Sequence, residues 1–263
     1  MAGYKTILFT QNDGLATITL NQPDTLNALS EELKADLLSA VREVGKPSSS
    51  ARALMIMGTG RAFSVGAALG NAAFADADRD LGESLIATYH PILLELAALN
   101  IPVISVVNGI AAGAGMSIAL SADIVIAAKS AYFLQAFVNI GLVPDAGSTY
   151  LLPRLVGGAR ARAMMMLGER LTAETAQDWG LILEAVDDNK LMDRGTELAM
   201  KLAKGPTRSL GSIRQLAQIS MQNSYPDQLQ MEAMMQRDAG RSDDCIEGVM
   251  AFLQKRPADF QGK

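Results

Sequence analysis

The hydrophobic positions of this chain keep one rhythm up to about residue 142 and another after it. Ile7 to Leu20 (ILFTQNDGLATITL) is two β-rich runs around Asn12, Asp13 and Gly14, which predicts a hairpin. After a polar loop, Ser30 precedes Glu31 and Glu32, with apolar residues at Leu33, Leu37, Leu38 and Val41. That spacing predicts a helix capped by Ser30 and ending near Gly45 and Pro47. Ala53 to Met57 (ALMIM) is a short apolar strand, followed by the Gly-punctuated loop GTGRAFSVGAAL. Leu85, Ile86, Tyr89, Ile92, Leu93, Leu96 and Leu99 share a helical period, predicting a helix over Leu81 to Leu99. PVISVV (102–107) is a buried strand, NGIAAGAG a second small-residue loop, MSIALSAD a helix and IVIAA another strand. Beyond Leu142 the pattern is helical: Thr149 to Val156, Arg160 to Leu167, Thr172 to Trp179, Leu191 to Lys204, Pro206 to Gln222 and Tyr225 to Ala239. A β/α half therefore precedes a mostly helical part.

Composition narrows the interior and the partners. Of 263 residues, 49% are hydrophobic and only 5% aromatic, so the core must be aliphatic. The 14 Met read chiefly as fillers of irregular helical core. A net charge of −5 supplies no global field for nucleic acid, while leaving room for a local basic pocket. The single cysteine, Cys245, allows no intrachain disulfide and fits a reducing compartment, so the cytoplasm is expected. No signal peptide is visible in MAGYKTILFTQNDG, and Ile101 to Ala128 is too interrupted by Asn108, Gly and Asp123 to span a bilayer.

Several familiar chemistries fail on spacing. Gly58 and Gly60 are followed by Phe63 where a dinucleotide loop needs its third Gly, and Gly45-Lys46 runs into Pro47, so neither nucleotide motif is present. With one histidine, His90, no multi-His metal centre forms, and metal catalysis is not expected. AFSVG imitates a nucleophile elbow at Ser64, with Asp123 and Asp145 further along. A hydrolase triad of that type places its His last, whereas His90 precedes both aspartates.

What remains is a pair of small-residue loops, GRAFSVGAAL and NGIAAGAGMS, each following a buried strand. Both can offer backbone N–H groups, and two such donors aimed at one point make an oxyanion hole. The second loop also opens a helix, whose N-terminus adds positive potential.

These loops, together with NQPDTLNAL, ADIVIAAKSAYF, IGLVPDAGSTYLLPRLVG and the terminal GVMAFLQKRPADFQGK, resemble the crotonase (enoyl-CoA hydratase/isomerase) superfamily from end to end. GAGMSIALSADIVIAA, PDAGSTYLLPR and GRSDDCIEGVMAFLQKR are most similar to its ring-epoxide isomerase branch, which itself resembles Δ3,Δ2-enoyl-CoA isomerases. The resemblance implies an α/β crotonase (ClpP-like) spiral of repeated β-β-α units over residues 1–195 and a helical trimerisation region over 196–263. It further implies an acyl-CoA substrate, no cofactor beyond that coenzyme A, no membrane partner, a homotrimer or dimer of trimers, and a place in fatty-acid or phenylacetate catabolism.

By position, the family's oxyanion donors fall on the N–H groups of Ala67 and Ala114, the latter standing where many relatives have Gly. Ala68 replaces a common Asp. The two carboxylates with which hydratases handle water fall on Ser117 and Phe137, and neither side chain can serve as that base. Asp145 falls on the isomerase branch's acid/base, so the resemblance implies proton transfer through a thioester enolate. Read locally, Asp145 is equally a turn or N-cap residue before the next helix. His90 falls on a catalytic position of the related 4-chlorobenzoyl-CoA dehalogenases, where Asp145 would be the nucleophile; otherwise it is a satisfied helix histidine or lines the pocket. Coenzyme A contacts fall near Leu26, Ala28 and Ala62, with Lys255, Arg256 and Lys263 as candidates for its phosphates. A hydratase, a hydrolase or dehalogenase using Asp145 and His90, and a noncatalytic acyl-CoA-binding protein are the alternatives.

Overall fold

The computed structural model describes residues 3–68 and 80–263. The expected hairpin forms from β1 (Ile7–Asn12) and β2 (Leu15–Leu20), joined by a two-residue turn at Asp13 and Gly14, both at positive φ. The twist of that turn matches paired strands. Ser30 accepts the Leu33 N–H and caps α1 (Glu31–Gly45), which buries Leu33, Leu37, Ala40, Val41 and Val44.

Three strand pairs follow: β3 (Ala53–Gly58) with β4 (Ala62–Ser64), β5 (Val103–Val107) with β6 (Ile110–Ala112), and β7 (Ile124–Ala128) with β8 (Tyr132–Leu134). With β9 (Arg170–Thr172) and β10 (Glu184–Val186), they build two sheets. The first member of each pair enters a six-stranded sheet ordered β1-β2-β3-β5-β7-β10, the second a four-stranded sheet ordered β4-β6-β8-β9. After each pair the chain returns through helix: α2 (Leu81–Ser84) and α3 (His90–Ala98), then α4 (Ala114–Leu120), then α5 (Ser148–Leu167). Like strands of successive turns pair in parallel, which is the β-β-α spiral. The three-residue strands carry no readable period of their own; neighbours distant in sequence supply their partners.

The helix expected over Leu81 to Leu99 is split, with a π-helical turn at Leu85–Tyr89 before α3. Pro91, in the first turn of α3, has no N–H to donate and its ring crowds the carbonyl four residues back, and a wider turn accommodates both. The two helices expected between Thr149 and Leu167 run together as α5, bent at Gly157.

The remaining helices are α6 (Ala173–Asp178), α7 (Leu191–Ala203), α8 (Thr207–Ser220), α9 (Tyr225–Ala239) and α10 (Asp243–Leu253). The boundary expected at residue 195 falls inside α7, and α7 packs on the large sheet, with Gly195 seated on Val106. The spiral therefore extends to Ala203, and the outer helices begin after Lys204. Arg214 of α8 ties them back: its guanidinium bonds Asp123 at 2.8 Å and the carbonyls of Leu96, Ala97 and Leu99 at 2.6 to 2.9 Å, closing the end of α3. Among the described residues, no helix is long and apolar enough to cross a membrane.

Candidate active site

The first loop leaves β4 at Ser64, which is fully buried. Its Oγ donates to the Asn27 carbonyl at 2.7 Å and accepts the Gly66 N–H at 3.2 Å. A buried hydroxyl with its proton committed in this way is no nucleophile; it orients the peptide leading to Ala67. Gly66 stands at φ +86, and a Cβ there would lie 2.8 Å from the Ala112 carbonyl oxygen and 3.3 Å from the Ala114 nitrogen. Only glycine lets the first loop lie this close to the second. Leu29 donates to the Gly66 carbonyl at 2.8 Å and pairs with Ala67 in a parallel bridge. Ala67 and Ala68 are exposed, and the Ala67 N–H has no acceptor among the described residues.

Leu26 and Ala28 are brought to the same place by Asn27, a residue the sequence reading passed over. Leu26 and Asn27 both take left-handed conformations, at φ +55 and +54. The buried Asn27 amide donates to the carbonyls of Ala62 (2.9 Å) and Thr59 (3.0 Å) and accepts the Gln22 N–H (2.8 Å). Val65 donates to the Leu26 carbonyl at 3.2 Å. Ala62 itself is fully buried and its carbonyl holds both Asn27 and Asn108, so it supports the loop from beneath.

The second loop is pinned to β8 where the Gly113 N–H donates to the Leu134 carbonyl at 2.9 Å. Ala114 is the first residue of α4, so its N–H has no carbonyl within the helix to bond, nor any other acceptor among the described residues. A Cβ on Gly115 would lie 2.6 Å from the carbonyl and hydroxyl oxygens of Ser64, so α4 rests directly on β4. The Ala114 methyl is buried in the core, so its Cβ is accommodated.

Asp145 stands in the turn before α5. The N-cap of that helix is Gly147, with no side-chain hydrogen bond, so the Asp145 carboxyl caps nothing. Its Oδ1 is buried and without a partner. Burial lifts its pKa to about 6, against a downward pull from His90. The turn meets α4 at Ser117, whose Oγ lies 3.5 Å from the Asp145 carbonyl oxygen and whose N–H bonds the Gly113 carbonyl one turn behind. The Asp145 main chain thus meets α4 at Ser117, three residues on from Ala114. Phe137 is buried with its ring against Gly113. Positions 117 and 137 therefore contain a buried hydroxyl and a phenyl ring.

Tyr89 of the π-helical turn is buried, and burial together with the negative charge of Asp145 pushes its pKa to about 12. It stays protonated. Lys34 fixes this turn, its Nζ bonding Thr88 at 2.8 Å and lying 4.3 Å from the Tyr89 ring centre. His90 follows, exposed at the start of α3. One further turn along, Leu93 and Leu94 line a largely apolar cavity of about 710 Å³, walled also by Ala146, Gly147, Met231 and Met235. These two methionines thus depart from the core-filling role expected of most, which Met164 does follow.

The terminal cations are not brought to these loops within the chain. Arg52, just before β3, donates to the Phe260 carbonyl, whereas the Leu26–Ala28 turn is anchored beyond the other end of that strand. Arg256 is held by Glu247 through bonds of 2.5 and 2.8 Å.

A profile of the enoyl-CoA hydratase/isomerase family matches residues 10–263. The chain is 45% identical to the 1,2-epoxyphenylacetyl-CoA isomerase of Escherichia coli, over 95% of this chain and 96% of that one. It is 42% identical to a probable enoyl-CoA hydratase of Rhodobacter capsulatus, over 99% of each chain. The crystal structure of an enoyl-CoA hydratase from Bacillus anthracis superposes with a TM-score of 0.92 at 27% identity, covering 98% of this chain and 100% of that one.

Proposed function

The chain belongs to the enoyl-CoA hydratase/isomerase family, and from that premise we propose that it is an acyl-CoA isomerase working through a thioester enolate. The observation that carries this reading is the Asp145 carboxylate, buried at one oxygen and free of hydrogen bonds there, in a turn whose main chain meets α4 at Ser117. With a pKa of about 6 it is mostly ionised at neutral pH and basic enough to accept a carbon-bound proton made acidic by the thioester. The enolate oxygen takes the Ala67 and Ala114 N–H groups, each worth about 3 kcal/mol of barrier. Asp145 then returns the proton two carbons from where it was taken, so the double bond moves and no water is consumed.

Hydration requires a second carboxylate to hold and deprotonate water. Here Ser117 and Phe137 stand where the resemblance puts the hydratase carboxylates. The apolar cavity behind the Asp145 turn receives the distal part of the acyl group. The exposed apolar face of α10, with Ile246, Val249, Phe252 and Leu253, supports self-association, which we read as the homotrimer or dimer of trimers that the family resemblance implies.

Purified protein offered a 3-enoyl-CoA is expected to produce the conjugated 2-enoyl-CoA, seen as rising ultraviolet absorbance of the thioester. Asp145→Asn should bind the substrate and fail to convert it. A variant that converts normally overturns the assignment of the base. Rapid formation of 3-hydroxyacyl-CoA from a 2-enoyl-CoA overturns the preference for isomerisation.

A further inference from the structure

The Asp145 carboxyl cannot aim itself. Its buried oxygen has no hydrogen bond, so its direction is set by the backbone of the turn that carries it. That turn is not the conformation its backbone prefers, because Ala146 stands at φ +48 and a left-handed alanine costs roughly 1 kcal/mol. Something in the tertiary structure must hold it.

Two buried serines meet at this point. Ser117 of α4 and Ser148 of α5 are 1% and 2% exposed, and their hydroxyl oxygens lie 2.7 Å apart. Ser117 Oγ also lies 3.4 Å from the Gly113 carbonyl oxygen and 3.5 Å from that of Asp145. Each hydroxyl has one proton. If Ser117 donated to Ser148, the Ser148 proton would be left with no acceptor among the described residues. If Ser148 donates to Ser117, the Ser117 proton is shared between the two carbonyls and both protons are used. The second arrangement is the one a buried pair adopts, since an unmet buried donor is costly.

We propose that the Ser117–Ser148 hydroxyl chain is the positioning device of the site, bridging the carbonyl just before the Ala114 donor and the carbonyl of Asp145 so that carboxylate and oxyanion donor keep a fixed separation. The proposal rests on the reading of Asp145 as the proton carrier. Ser148 also donates its backbone N–H to the Asp145 carbonyl at 3.0 Å, so one residue grips the turn by main chain and side chain together. Ser117 and Ser148 are positioning residues, both buried and acting through the Asp145 turn. The chain gives the hydroxyl at 117 a purpose in a protein that has no carboxylate there.

The test is a set of four variants, Ser117→Ala, Ser148→Ala, the double alanine and Ser148→Thr, with Asp145→Asn as reference. Turnover of 3-enoyl-CoA is measured alongside NMR titration of the Asp145 carboxyl in the free protein, using carbon-13-labelled aspartate. A misplacement on the scale of an ångström costs about tenfold to a hundredfold in kcat. The alanine variants should lose that much with KM nearly unchanged, and the double variant should be no slower than Ser117→Ala, because both cut one chain. Ser148→Thr keeps the hydroxyl and should keep most of the rate. In the alanine variants the Asp145 titration should fall from about 6 toward the ordinary carboxylate range as the loosened carboxyl meets solvent. Alanine variants that melt earlier yet keep kcat and the titration midpoint would show a purely structural pair and overturn the proposal, even with Asp145→Asn inactive. An Asp145→Asn variant that turns over normally would overturn both the proposal and the reading beneath it.

Discussion

Asp123 and Asp145 lie 22 positions apart, both downstream of the second small-residue loop, and the fold treats them in opposite ways. Asp123 receives the Arg214 guanidinium at 2.8 Å and the Val103 N–H at 2.7 Å. The buried Oδ1 of Asp145 receives nothing. Burial pushes both carboxyls up, but at Asp123 the guanidinium and a backbone donor oppose it, while at Asp145 only His90 does. A carboxylate whose oxygens are spoken for holds structure together. One desolvated with a free oxygen is poised to take a proton, at some cost to the fold.

That contrast is broken most directly by removing each charge in turn. Asp145→Asn is expected to cut turnover by about a hundredfold to ten-thousandfold, the usual range for a positioned general base, in the 3-enoyl-CoA assay. Arg214→Met should leave Asp123 partly buried and unpaired and uncap the end of α3, costing about 3 to 5 kcal/mol in urea unfolding. A loss below about 1 kcal/mol would show that the pair is not structural.

The two aspartates should also differ in the sign of a stability change. The folded pKa of Asp145, about 6, exceeds its ordinary value of 3.8, so the folded protein holds this proton more tightly than the unfolded one. The penalty for its ionisation is absent below pH 4, grows between about pH 4 and 6, and is constant above. Asp145→Asn should therefore stabilise the protein by about 2 kcal/mol at pH 8 and leave it unchanged at pH 4. Destabilisation at pH 8 would mean the carboxylate is held by something after all. The same group sets the kinetics, with kcat/KM rising as the pH passes through about 6.

The smallest effect is expected at His90, whose influence on Asp145 is electrostatic. His90→Gln removes a downward pull, so the acid limb of the rate profile should move to higher pH, with the plateau rate within a few-fold of wild type. Loss of the plateau by orders of magnitude would make His90 a catalytic group.

Much of this was legible in the chain. The hairpin, α1 with its Ser30 cap, β3, β5 and β7 follow from period, caps and turns, which depend on neighbours in sequence. The two small-residue loops announced backbone donors. The carboxyl of Asp145 was read with equal ease as a helix cap, because a Pro-Asp-Ala-Gly-Ser run satisfies both readings locally. Ser148 and Asn27 were missed for a related reason. Nothing in the surrounding residues marks a serine that will meet another 31 positions away, or an asparagine that will hold the carbonyls of residues 59 and 62.

The sequence by itself determined the period of each long element, the aliphatic character of the core, and the absence of a carboxylate at positions 117 and 137. The tertiary structure decided which of the available groups would be left unsatisfied. Asp123 is paired and the buried Oδ1 of Asp145 is not, because a guanidinium from α8, 91 residues away from Asp123, reached one and not the other. Whether a buried polar group has a partner is a property of packing between distant segments, and at this site it separates support from chemistry.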